Sequence, residues 1–127
     1  MPAEKVTWEQ IGEKNGFALI SPAYKSNGHV FTSGCVGTDP KTGELPTDVT
    51  EQTENAIKNL KIVLETSQSS LDKVLKVLLF ISNLEDAPKI NAVYAKYFTS
   101  KPARSCVIVA FPNSSLKVEL ECVAEYD

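Results

Sequence analysis

An α+β domain, with a largely antiparallel or mixed sheet and two helices on one of its faces, is what this sequence predicts, and three observations predict it. Two stretches, Asp48 to about Thr66 and Glu85 or Asp86 to Phe98, place apolar side chains at helical spacing. Between them Val74–Ile81 is apolar on both faces apart from Lys76, the mark of an interior strand. Strand-like runs precede the first helix and follow the second, so the order is two or three strands, helix, strand, helix, two strands. Two helices cover only one side of such a sheet. The other side then calls for a second subunit, which soluble chains usually supply through closed symmetry.

From the N-terminus, Val6-Thr7-Trp8 and Ala18-Leu19-Ile20 are short apolar runs on either side of the polar loop Glu13-Lys14-Asn15-Gly16, and they read as strand pieces opening the sheet. His29-Val30-Phe31-Thr32-Ser33-Gly34-Cys35-Val36-Gly37 reads as a strand whose interior Gly34 signals a bulge or a close approach to the backbone. Asp39-Pro40-Lys41-Thr42-Gly43 ends it in a loop. Asp48 is placed as the N-cap of the first helix, with Glu51 approximating a capping box. Val49, Ala56, Leu60 and Val63, flanked by Ile57 and Leu64, form its inner side, while Glu54 and Lys58 pair on the outer side. Ser69-Ser70 breaks the pattern before the run from Leu71 to Ile81. In the second helix Pro88 falls in the first turn, where a missing N–H is tolerated, and Ile90, Val93, Tyr94 and Tyr97 face inward. A strand over Ser105–Ala110, a turn at Phe111-Pro112-Asn113-Ser114-Ser115 and a strand over Lys117–Ala124 complete the chain.

The 127 residues are expected to make one domain, 1–127. A chain of this size buries about two thirds of its unfolded surface and folds without metals or disulfides. The net charge is −3 and the basic residues are scattered, so general RNA or DNA binding is not expected. Cys35, Cys106 and Cys122 are odd in number and lack a C-x-x-C pair, against both a disulfide framework and a zinc site, so no metal is expected. Glu4, Glu9 and Glu13 do not suit a transit peptide, and no run is long enough to span a membrane. The expected location is cytoplasmic or nuclear; a mitochondrial one is not supported by the N-terminus.

Chemistry concentrates near the end of the chain. Lys101-Pro102-Ala103-Arg104-Ser105-Cys106-Val107-Ile108-Val109-Ala110 puts an arginine at the mouth of an apolar strand, and Val118-Glu119-Leu120-Glu121 puts two carboxylates on one strand face. Together they form a candidate site for a small anion and a water. A guanidinium can hold a carboxylate through two parallel hydrogen bonds, and a carboxylate within hydrogen-bond reach can position and deprotonate water. Cys106 has no activating histidine in view, since the only histidine, His29, falls in a strand, so a thiol nucleophile is not favoured.

The segments Thr32-Ser33-Gly34, Asp39-Pro40-Lys41-Thr42-Gly43-Glu44-Leu45, Gln52-Thr53 through Asn59-Leu60-Lys61, Asn91-Ala92-Val93-Tyr94, Pro102-Ala103-Arg104-Ser105-Cys106-Val107 and Val118-Glu119-Leu120-Glu121 resemble, in order, the pattern of the RidA/YjgF family of reactive intermediate deaminases. The resemblance covers roughly residues 18 to 124. It implies a chorismate-mutase-like homotrimer with a central barrel and clefts between subunits. It also implies a cofactor-independent 2-iminobutanoate/2-iminopropanoate deaminase, which hydrolyses enamine and imine acids such as 2-aminoacrylate, released by pyridoxal-phosphate enzymes, to 2-keto acids and ammonia. Arg104 would anchor the substrate carboxylate and Glu119 would activate water; Ser33, Gly34, Asn91 and Cys106 would line the cleft. Glu121 reads as a paired or solvated acid outside the reaction.

Two departures qualify the resemblance: Ile20 replaces a tyrosine that lines the cleft in many members, and Cys35 stands where glutamine is usual. Both make the cleft less polar and point to a bulkier imino acid or weaker activity. The alternative reading is a non-catalytic protein that binds 2-keto acids in the same cleft.

Overall fold

The structure, a computed structural model, describes residues 2–13 and 16–127. In chain order the elements are β1 (Glu4–Val6), β2 (Ala23–Ser26), β3 (His29–Thr32), β4 (Cys35–Val36), α1 (Val49–Thr66), β5 (Val74–Ile81), α2 (Ala87–Tyr97), β6 (Ala103–Ile108) and β7 (Val118–Glu125). They build one seven-stranded sheet ordered β1-β2-β3-β7-β5-β6, with β4 pairing onto β7 beside β3. Every pairing is antiparallel except β5–β6. The fold is thus α+β with two helices and a mixed sheet, as the sequence predicts.

Asp48 caps α1 by accepting the Glu51 N–H at 3.0 Å, and Pro88 occupies the first turn of α2. Val49, Ala56, Ile57, Leu60, Val63 and Leu64 of α1, with Ile90 and Val93 of α2, meet Val77, Leu79, Ile81, Val118, Leu120 and Cys122 from the sheet, all buried. Residues paired across a sheet share a face, so the register Val77↔Cys122, Leu79↔Leu120 and Ile81↔Val118 defines the helix-covered side. Leu78, Phe80, Glu119 and Glu121 take the alternate positions and are only half-buried. Among the described residues this second face carries no helix.

Three expectations near the N-terminus are corrected. Only Val6 of Val6-Thr7-Trp8 lies in a strand, and Ala18-Leu19-Ile20 forms none: Leu19 is 96 % exposed. The run instead belongs to a connection held by the Trp8 indole N–H, which donates to the Phe17 and Ile20 carbonyls at 3.1 and 2.8 Å. The strand that fills this place is β2. Its pattern hides a core position under a lysine: Lys25 is buried, with its ammonium 2.5 Å from Gln68 Oε1 and 4.4 Å from the Tyr126 ring centre. The expected single strand from His29 to Gly37 is split at Ser33-Gly34 into β3 and β4, as the interior glycine suggested. Lys14 and Asn15 of the expected polar loop lie outside the described residues.

Gln52 sets where β7 begins. Fully buried on α1, it donates to the Pro46 and Ser115 carbonyls and accepts the Lys117 N–H at 2.9 Å, two residues before Glu119. Leucine in its place would leave all three backbone groups without their partner. Gln52→Leu is expected to lower stability by about 3 kcal/mol, measured by urea unfolding at fixed chain concentration; a change within experimental error would refute the bracing role.

Candidate active site

Parallel pairing places Arg104 opposite Val77 and Cys106 opposite Leu79, so both project on the helix-covered side, at the free edge of β6. There α2 holds the guanidinium. Arg104 Nη1 donates to Asn91 Oδ1 at 2.9 Å, and Arg104 Cζ lies 4.7 Å from the Tyr94 ring centre. Asn91 and Tyr94 are three apart and therefore neighbours on one helix face. The Tyr94 ring is itself stacked on Phe98, a buried residue, at 4.4 Å. No group among the described residues meets the buried Tyr94 hydroxyl in hydrogen-bond geometry, so the guanidinium engages the ring face rather than the oxygen. Burial pushes the Tyr94 phenol up against the opposing pull of Arg104, which keeps it neutral. One edge of the guanidinium is thus fixed by Asn91, and the residue is otherwise exposed to solvent.

Glu119 lies opposite Val36 on one side and Phe80 on the other, on the face without helices. Its carboxylate fills the break between β3 and β4: a Cβ added to Gly34 would lie 2.1 Å from Glu119 Oε2 and 2.7 Å from its Cδ. Ser33 secures that break by donating its hydroxyl to the Ser21 carbonyl at 2.6 Å and its N–H to the Pro22 carbonyl at 2.9 Å. Ile20 is therefore tethered through its neighbour to the Glu119 side. Burial, and then the Glu121 charge two residues on, push the Glu119 carboxyl up from its ordinary value. Glu121 shares the face of Glu119, as a regular strand requires, and forms no ion pair among the described residues.

The candidate residues thus gather into two clusters rather than one. Arg104, Asn91 and Cys106 stand on the helix-covered side at the β6 edge; Glu119 stands on the other face, with Gly34 against its carboxylate and Ser33 beside it in the break between β3 and β4. Asn91, expected to line the cleft, spends its side-chain oxygen on Arg104. Tyr94 is the residue the sequence reading missed as a partner of the guanidinium, because its place on the inner side of α2 marks it as core. Cys106 is an exposed free thiol. Cys35 is half-buried; burial, with the Cys122 thiol and the Glu119 carboxylate nearby, pushes it up to about 12, which holds it as a neutral thiol.

Comparison with known proteins adds independent information. The model of the family described as endoribonuclease L-PSP matches residues 16–126. The protein HMF1 of Saccharomyces cerevisiae is 42 % identical over 108 residues, covering 84 % of each chain. The 2-iminobutanoate/2-iminopropanoate deaminase of Escherichia coli is 34 % identical over 121 residues, covering 90 % of this chain and 94 % of that protein. Among solved structures, YEO7 of yeast superposes with a TM-score of 0.89 at 36 % identity, covering 99 % of this chain and 100 % of the other.

Proposed function

Since the chain belongs to the YjgF/RidA family, whose model carries the endoribonuclease L-PSP description, we propose that it is a cofactor-independent deaminase of 2-imino acids, acting in clefts between the subunits of a homotrimer. The observation that carries the reading is the separation of Arg104 and Glu119 onto opposite faces of one sheet. A guanidinium that fixes a carboxylate and a carboxylate that activates water are useful together only within a few ångströms of one substrate. One chain does not bring them together; two adjoining copies can. Tyr24 and Phe31, at least two fifths exposed on the uncovered face, and the wholly exposed β6, with Val107 and Ile108 on it, are the apolar surfaces such contacts would cover. A relative of the same family carries the deaminase name, which favours this chemistry over simple retention of a keto acid.

In the proposed reaction Arg104 of one subunit binds the carboxylate of the imine, oriented by Asn91 and Tyr94. Glu119 of the adjoining subunit takes a proton from water as the water oxygen bonds to the imine carbon. Glu119 returns that proton to the nitrogen, giving a carbinolamine; it then takes the hydroxyl proton and passes it to the nitrogen as the C=O bond forms and the C–N bond breaks, so that ammonia leaves with the 2-keto acid. An enamine such as 2-aminoacrylate enters after its carbon gains a proton to give the imine. Ser33 and the bare Gly34 backbone border the reacting carbon, and Cys106 lines the Arg104 side without thiol chemistry. We place this activity in the cytoplasm, where it would spare pyridoxal-phosphate enzymes from reactive imines; no helix among the described residues is long and apolar enough to cross a membrane.

The test is the breakdown of 2-aminoacrylate, generated by a serine dehydratase and trapped competitively with semicarbazide. Pyruvate release faster than the spontaneous rate, lost in Arg104→Ala and in Glu119→Gln, is expected. Binding of 2-ketobutyrate that needs Arg104, without any acceleration, would mark the cleft as a binding site instead.

A pH dependence follows from the crowded acids. Glu119 works as a base once deprotonated, so kcat/KM rises with pH through its raised pKa. Glu121→Gln removes the like charge that helps to raise it, and the rising limb is expected to move to lower pH. A limb that stays in place or moves up would show that Glu121 does not tune Glu119.

A further inference from the structure

A cavity of about 260 Å³ lies against α1 on the helix-covered side, between that helix, β4 and the N-terminal segment. Neither Arg104 nor Glu119 borders it, so the proposed deamination leaves it without a role. Trp8, Ile11, Phe17, Pro22, Ile62 and Val63 supply its apolar wall. The aromatic part of that wall is held in place. The Trp8 indole N–H donates to the Phe17 and Ile20 carbonyls, and Phe17 meets the ring edge-on at 6.1 Å. Gly16 lets the backbone lie against the same ring, since a Cβ there would stand 2.0 Å from Trp8 Cγ.

An apolar cavity of roughly 150 Å³ is enough to hold benzene. The larger volume here has room for two fused rings, and the aromatic wall favours an aromatic guest, whose faces and edges it can match. The polar groups narrow the chemistry further. Ser33 donates its hydroxyl to the Ser21 carbonyl, and Cys35 is a neutral thiol. Asn59, half-buried on α1, donates its amide nitrogen to the Val36 and Thr38 carbonyls at 2.9 and 2.8 Å. Two carbonyl partners fix which end of that amide is the nitrogen. Its oxygen can only accept, and no donor among the described residues reaches it. Glu13, exposed, carries the single charge among the described lining residues. An anionic guest finds no counter-ion there, which sets the cavity apart from any site for 2-imino or 2-keto acids.

We propose that the cavity is a second binding site, for a neutral bicyclic aromatic compound of the indole kind, which packs against Trp8 and Phe17 and donates its N–H to Asn59 Oδ1. The site is separate from the deaminase cleft, and the two can be filled at once.

Indole itself is the probe, titrated into the intact protein by calorimetry while the nitrogen NMR spectrum of isotope-labelled protein follows the Trp8 side chain. Trp8 is the single tryptophan of the chain, so its indole N–H gives one resonance. A Kd of about 0.1 mM is expected for a guest of this size, and the Trp8 resonance should shift as the site fills. Benzothiophene, of the same shape without the N–H, should bind about tenfold more weakly, because it leaves the Asn59 oxygen unpaired. Ile62, 38 % exposed on α1, can be enlarged without disturbing the core. Ile62→Trp, its fold verified by thermal melting, should weaken indole binding about tenfold or more by filling the space, whereas Ile62→Ala should retain it. Arg104→Ala should bind indole as the intact protein does. Absence of binding up to the solubility of indole, a Trp8 resonance that stays in place, equal or tighter binding of benzothiophene, or a loss in Arg104→Ala would overturn the assignment. None of these outcomes bears on the deaminase reading, which the 2-aminoacrylate assay tests separately.

Discussion

Unfolded together in equal amounts and reassembled, Arg104→Ala and Glu119→Gln chains are expected to recover about a quarter of the wild-type deaminase activity that each lacks alone. The expectation follows from strand parity. Arg104 is in register with buried Val77, while Glu119 is in register with half-buried Phe80, and these two residues of β5 point to opposite faces. A reaction that needs both groups must take one from each of two neighbouring copies. In a closed ring assembled at random, a given cleft receives an intact arginine with a chance of about one half and an intact carboxylate with the same chance, whatever the number of subunits. Glu119→Gln alone should lose about a hundredfold or more, the usual contribution of a positioned proton-transfer group, and Arg104→Ala about as much through lost positioning of the substrate. Refolding the pure variants separately supplies the baseline. If the mixed sample is no more active than the separate ones, the cleft is not shared between chains and the proposed assembly fails.

The separation of these residues marks the limit of what the sequence can tell. Within one strand, alternation puts Glu119 and Glu121 on the same face without knowledge of any neighbour, and both do lie there. Whether Arg104 on β6 shares that face depends on its register against β5, and a slip of one residue would reverse the answer. The helices were readable for a similar reason: Asp48, Pro88 and the apolar spacing act over a few residues, and their consequences stay local. β2 was not readable, because Lys25 owes its core position to Gln68 and Tyr126, both distant in sequence. The same holds for the connection around Ile20, fixed by the indole of Trp8 twelve residues earlier. Asn91 illustrates the point at the site itself. The resemblance implies that it lines the cleft, but only the packing of α2 over the β6 edge shows that its oxygen is engaged by the Arg104 guanidinium.

Gly34→Ala should cost about a hundredfold in kcat and little in stability. The glycine is exposed and its φ is not in the left-handed region, so alanine meets no backbone strain. The new methyl would instead collide with Glu119 Oε2, 2.1 Å away, and with Cδ at 2.7 Å. Those atoms are the far end of a flexible side chain, which yields by rotating out of the break between β3 and β4. The fold survives and the carboxylate moves. A displacement of an ångström in a reacting group is enough for a loss of about 10²-fold. Complementation then separates this mechanism from general damage. Gly34→Ala chains have an intact Arg104, so reassembly with Arg104→Ala chains should restore activity, whereas reassembly with Glu119→Gln chains should restore none, because Gly34 and Glu119 serve the same side of the cleft. Rescue by the Glu119→Gln partner would place Gly34 with the guanidinium instead, and an unchanged kcat would mean that the carboxylate does not act from the position it holds beside the glycine.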